Sequence, residues 1–181
     1  MIKEKKYNNF KLKLSKWLLR KDLVKSDRNF KMCSLDKAST VGITFTASSP
    51  KDLEEIRKFL KELAAKGLKT FALGYIPEKK PSDFYLSEKA FNFFYDKELD
   101  WLLRPNSQTA LEFQSSEFDI LIDFGTISFY PMQLLIYKSK AKFKVGQFIE
   151  NSPFDFMIEL KDSNNFRYYF DQVVHYLSKF N

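Results

Sequence analysis

Two groups of residues in this 181-residue chain have types and spacing that could do chemistry. The first is cationic: Lys11, Lys13, Lys16, Trp17, Arg20 and Lys21 fall within one short run. Such a run suits an anionic partner, because Lys and Arg neutralise phosphates or lipid headgroups, while Trp can stack on a base or sit at a membrane interface. The second group is polar: Thr46, Ser48 and Ser49, then Asp123, Thr126 and Ser128, end or follow two apolar runs of strand length. Ligands of open α/β sheets bind outside the carboxyl ends of the strands, so these hydroxyls and one carboxylate could meet a small glycosyl or phosphoryl compound. A purely structural use is equally concrete: Ser48 and Ser49 cap one helix, Thr126 or Ser128 caps another, and Asp123 is a strand-end acid held by backbone amides.

Other chemistry is scarce. His175 is the only histidine and Cys33 the only cysteine, so no zinc site of the usual ligand types forms within the chain and no internal disulfide is possible. His175 reads as a surface or edge residue and Cys33 as an incidental thiol in a connection. No GxGxxG follows the first strand and no GK[ST] loop is present, so neither dinucleotide nor triphosphate binding has its usual fingerprint. No metal and no cofactor is expected.

Charge is distributed unevenly. Residues 1–31 hold eleven basic and three acidic side chains, a net +8, whereas the whole chain carries +7. The remainder is therefore close to neutral, at −1, and the basic character belongs to an arm. A clustered positive field attracts polyanions.

The elements that must position these groups follow from periodicity. Phe10, Leu14, Trp17 and Leu18 recur at helical spacing with lysines mostly elsewhere, which predicts a cationic amphipathic helix. Three uses of that helix stay open: Trp17 and its neighbours dock it onto the domain, it lies on an anionic membrane, or it binds RNA, ribosomal RNA included. Residues 25–40 show no clear periodicity. Val41–Ala47 reads as a buried strand, Ser49-Pro50 with Asp52 as a helix start, Leu53, Ile56, Phe59, Leu60 and Leu63 as its buried side, and Gly67 as its stop. Thr70–Ile76 is the next strand. Short strands are predicted at 83–86 and 97–103, a helix over 107–115, then strand 118–124, a helix, strand 143–148, strand 154–160 and a closing helix over 164–180. Two strand–helix–strand units of this length imply a mainly parallel sheet covered on both faces.

Phe118-Asp-Ile-Leu-Ile-Asp123, the following helix and Ser139-Lys-Ala-Lys-Phe-Lys-Val-Gly146 resemble a segment in the acceptor-side half of heptosyltransferase-type glycosyltransferases. That resemblance implies a shared substructure. The chain departs from it at Ser48-Ser-Pro-Lys-Asp52, which lacks the family's Gly, and has no room for the nucleotide-sugar half. Together with Thr40-Val-Gly-Ile43, the basic start and the closing His175-Tyr-Leu177, the same segments resemble a family of small bacterial proteins labelled as a domain of unknown function. Membership implies a Rossmann-like domain with a basic N-terminal helix, and no known reaction.

The expectation is thus a three-layer Rossmann-like α/β fold with a mainly parallel sheet and helices on both faces. A basic arm would span 1–31, a connection 32–40 and the domain 41–181. Functionally, it reads as a non-catalytic accessory protein that meets RNA or a ribosome-containing assembly through the arm. An anionic membrane surface and a small-ligand or glycosyltransferase-like crevice are the alternatives. No apolar run is long enough to span a bilayer, and the location expected is the cytoplasm, with the inner face of the membrane as its alternative.

Overall fold

The computed structural model describes residues 7–24, 28–46, 50–79, 85, 91–125, 129–148, 153–159 and 166–180. Six strands, β1 (Thr40–Thr46), β2 (Lys69–Ile76), β3 (Asn92–Tyr95), β4 (Ile120–Asp123), β5 (Phe143–Gln147) and β6 (Phe156–Ile158), form one sheet in the order β3-β2-β1-β4-β5-β6. Every pairing is parallel. The chain winds outward from β1 to β3, then returns to the other side of β1 with β4, so strand order reverses between β1 and β4. The helices that follow those two strands pack on opposite faces of the sheet, which is the arrangement of a Rossmann-like switch point.

Helices cover both faces. On one, α2 (Pro50–Ala65) buries Leu53, Ile56, Phe59 and Leu63 beside Tyr169, Phe170, Val173 and Leu177 of α5 (Phe166–Leu177). On the other, α3 (Gln108–Ser115) and α4 (Tyr130–Lys138) pack Phe113, Met132, Leu135 and Ile136 onto Leu73, Tyr75 and Leu121. The expected three-layer α/β architecture is the observed one. Gly67 stops α2 as expected: at φ +81° it lets Leu68 donate to the Leu63 carbonyl at 3.1 Å and itself donates to Ala64 at 2.9 Å.

Large rings fill the layers, and the strand glycines make room for them. A Cβ on Gly42 would lie 2.6 Å from Phe118, and one on Gly74 would lie 2.6 Å from Phe45. Phe59 stacks on Phe170 at 4.3 Å between centroids, with Phe124 edge-on to both.

One expectation fails between β2 and α3, and another lies mostly outside the described residues. Residues 97–103 form no strand: Asp96–Glu98 is a single 3-10 turn, and the strand is β3, directly before it. Of the strand expected over 83–86 only Tyr85 is described, and it is helical. Aromatic crowding in this region gave no alternation to read, and pairing with β2 decides which residues extend.

The remaining helix is α1 (Asn9–Val24), started by Asn8, whose Oδ1 accepts from the Phe10 and Lys11 amides at 3.0 and 3.3 Å. It lies outside α4. Leu19 is buried with Tyr130 and Leu134, and Tyr7, Leu12, Leu103 and Tyr137 pack around them. Leu103 adopts φ +65°, held there by Asp100, whose Oδ1 accepts from the Leu102 and Arg104 amides at 2.8 and 2.9 Å.

Candidate functional site

Three residues of α1 face the domain: Leu12, Ser15 and Leu19, spaced so that they share one side of a helix. Ser15 is 2% exposed and its Oγ accepts from the Tyr130 hydroxyl at 2.9 Å. A second polar pin precedes the helix, where the Tyr7 and Tyr75 hydroxyls lie 3.1 Å apart and Tyr75 donates to Asp96 Oδ1 at 2.6 Å. A buried hydroxyl without a partner is costly, so each pin fixes rotation about the helix axis as well as position.

That rotation turns the more apolar stripe outward. Phe10 is 71% exposed and Trp17 52%, while Leu14 and Leu18 are half-buried at the margins. The helix docks on the domain, one of the three uses left open by the sequence, but through Leu12, Ser15 and Leu19 and not through Trp17. Lys13, Arg20 and Lys21 share the outward side with the rings, and the Lys21 ammonium sits 3.7 Å over the Trp17 ring. Lys11 and Lys16 flank, Lys16 lying 5.8 Å from the centroid of Tyr130. None of Lys11, Lys13, Lys16, Arg20 or Lys21 has a carboxylate partner among the described residues. The structure thus brings all six residues of the run onto one helix, its five cations without a carboxylate partner among the described residues.

The polar group at the carboxyl ends of the strands is a different environment. Thr46 and Asp123 are buried at the switch point. Ser48, Ser49, Thr126 and Ser128 lie outside the described residues. Asp123 Oδ1 accepts from the Thr44 hydroxyl at 2.6 Å and from the Gly125 amide. Its Oδ2 has no partner among the described residues, nor does the buried Tyr169 hydroxyl. Burial, opposed by those two donors, raises the Asp123 carboxyl to about 7, so it is a dry and easily protonated acid. The expected strand-end acid held by amides is corrected to this: one amide and one hydroxyl hold one oxygen. The cap of α4 also differs, since Phe129 occupies it and no side chain caps that helix.

Residues 11–180 match a model described as a family of unknown function, DUF6913. The chain belongs to the DUF6913 family. The match takes in α1 from Lys11 onward along with the sheet and α5, so the helix is part of what the family model describes. No curated protein and no solved structure matches the chain.

No cluster of three or more metal-ligating side chains occurs among the described residues, nor does any helix there have the length and apolarity to cross a membrane. His175 is exposed, and burial leads the causes that raise the Cys33 thiol, which donates to the Ser34 carbonyl. Two groups were missed. Phe10 completes the outward ring stripe, seven residues from Trp17. Lys138, Lys140 and Lys142 line one cleft with Arg28; their alternation in Lys138-Ser-Lys-Ala-Lys142 was the available signal, because every second residue of an extended segment faces one way.

Proposed function

We propose that this DUF6913 protein is a non-catalytic binding protein that holds single-stranded RNA, alone or in a ribosome-containing assembly, on the outward face of α1. The observation that carries the reading is the orientation of α1: polar pins and Leu12, Ser15 and Leu19 hold it to α4, leaving Phe10 and Trp17 exposed among Lys13, Arg20 and Lys21, which have no carboxylate partner among the described residues. Cations tracking phosphates with rings stacking on bases is how sequence-tolerant single-strand binding works. A membrane surface fits less well, because Leu12 and Leu19 are spent on the domain and the outward apolar stripe is too narrow to insert deeply.

Fluorescence anisotropy with a labelled single-stranded RNA tests this against vesicles containing anionic lipid. Trp17→Ala should weaken RNA binding roughly tenfold, the size of one lost base stack, and leave the fold intact because the ring is exposed. Binding to vesicles in place of RNA would transfer the helix to the membrane reading.

A second reading is favoured by Asp123. A buried carboxyl with one unpartnered oxygen at the switch point suits a small ligand with a hydrogen-bond donor, in the manner of the acceptor half of a glycosyltransferase.

A further inference from the structure

At the opposite end of the sheet, where β4 and β5 begin, a cleft of about 340 Å³ opens between residues 28–29 and the turn that follows α4. Four cations line it: Arg28, Lys138, Lys140 and Lys142, with Asn29 and Ser139 offering further polar atoms and Glu117 the one acid in the wall. The wall is fixed. Arg28 makes two hydrogen bonds to Asp155, and Lys142 donates to Asp119 Oδ1 at 2.8 Å. Asp119 in turn accepts from the Ser39 and Thr40 amides at 2.9 and 3.1 Å, and the Lys31 amide donates to the Lys142 carbonyl at 3.1 Å. Lys140 has no carboxylate partner among the described residues.

One feature would normally repel an anion here, since the last carbonyls of α4 point toward this end with the negative pole of the helix. Lys144 cancels it. Its side chain is buried, 2% exposed, and its ammonium donates to the Ile136 and Tyr137 carbonyls at 2.6 and 3.1 Å. With that pole covered, the cleft is lined by four cations against the single acid Glu117, which suits a compact polyanion such as a phosphoryl group.

We propose that this cleft binds a terminal phosphoryl group, either on a small phosphorylated compound or at the end of an RNA strand. The polymer form rests on the function proposed above: α1 sets out beside Tyr75 at the carboxyl end of β2, and by Lys31 the chain has reached the amino end of β5, so a strand laid along α1 leads toward the cleft. The small-compound form stands without it.

Calorimetric titration of the full chain with inorganic tripolyphosphate is the first arm, and anisotropy with one RNA carrying either a 5′-phosphate or a 5′-hydroxyl is the second. Both are run on the native protein, on Lys138→Gln/Lys140→Gln, and on the α1 variant Lys13→Gln/Arg20→Gln/Lys21→Gln. Tripolyphosphate should bind the native and α1-variant proteins equally and the cleft variant at least tenfold more weakly. Lys140→Glu, at an exposed position, serves if the double variant does not fold. A 5′-phosphate preference lost in the cleft variant supports RNA as the source of the phosphate; tripolyphosphate binding with no such preference supports a small compound. No tripolyphosphate binding, or equal binding by the cleft variants, overturns the proposal. An α1 variant with unchanged RNA affinity would instead remove the RNA reading and leave the tripolyphosphate result standing.

Discussion

The outward face of α1 and the switch point between β1 and β4 handle polar chemistry in opposite ways. At the switch point, where this fold ordinarily meets its ligands, Asp123 is fully buried and raised to about 7, so it is half protonated near neutrality. On α1 five exposed cations have no carboxylate partner among the described residues and stand beside two exposed rings. The second region presents exposed positive charge, whereas the acid of the first is out of contact with solvent. The fold's customary location and its most available binding chemistry therefore lie in different places.

The largest effect that bears on this contrast comes from Phe124, which contacts Phe59, Tyr169 and Phe170 next to Asp123. Phe124→Ala should cost about 3–5 kcal/mol in denaturant unfolding while leaving RNA affinity unchanged at temperatures where the variant is folded. A drop in affinity without loss of stability would make the switch point a binding region after all.

Asp123 offers a smaller and more specific test. Its carboxyl titrates near 7 in the folded chain and near 3.9 when unfolded, so between those values the native state binds the extra proton. Stability from this group is therefore present at low pH and lost as pH rises through the window, with a slope of about 1.4 kcal/mol per pH unit. Asp123→Asn should remove that slope between pH 4.5 and 6.5, as read by urea midpoints. The window avoids two neighbours of opposite sign. Partial burial pushes Asp119 up, but the Lys142 ammonium and two amides outweigh it and hold it at about 2, so its contribution grows with pH below about 4. Burial, aided by Arg28, lowers Lys144 to about 7, so its contribution grows above that pH. An unchanged slope in Asp123→Asn would mean the acid is solvated and the switch point open.

The smallest effect concerns the orientation of α1. Tyr130→Phe leaves Ser15 buried without its donor and should cost about 1 kcal/mol of stability, with RNA affinity falling only as the helix loosens.

Much of the scaffold could be read in advance because it is written in local patterns. Gly67 stops α2, Ser107 caps α3 by accepting from the Ala110 amide, and the short apolar runs are the buried parallel strands. Strand order was not legible, since the pairing of β1 with β4 joins residues about eighty apart and no local spacing encodes it. For α1 the sequence offered two stripes, and hydropathy favours Phe10, Leu14, Trp17 and Leu18 as the docking side. The Tyr130–Ser15 bond selects the other, a decision made by a hydroxyl on α4 that periodicity along α1 cannot see. Lys144 was hidden for a related reason. It sits in a strand buried on both faces, and only the folded chain brings the carbonyls of α4 to its ammonium.

The most direct test of the whole account is the salt dependence of single-stranded RNA binding by the native chain and by Lys13→Gln/Arg20→Gln/Lys21→Gln. Each phosphate contact contributes about 0.7 to the slope of log affinity against log salt, so the variant should bind more weakly with a slope shallower by about 2. Equal slopes and equal affinities in the two proteins would contradict the assignment of α1 as the binding face.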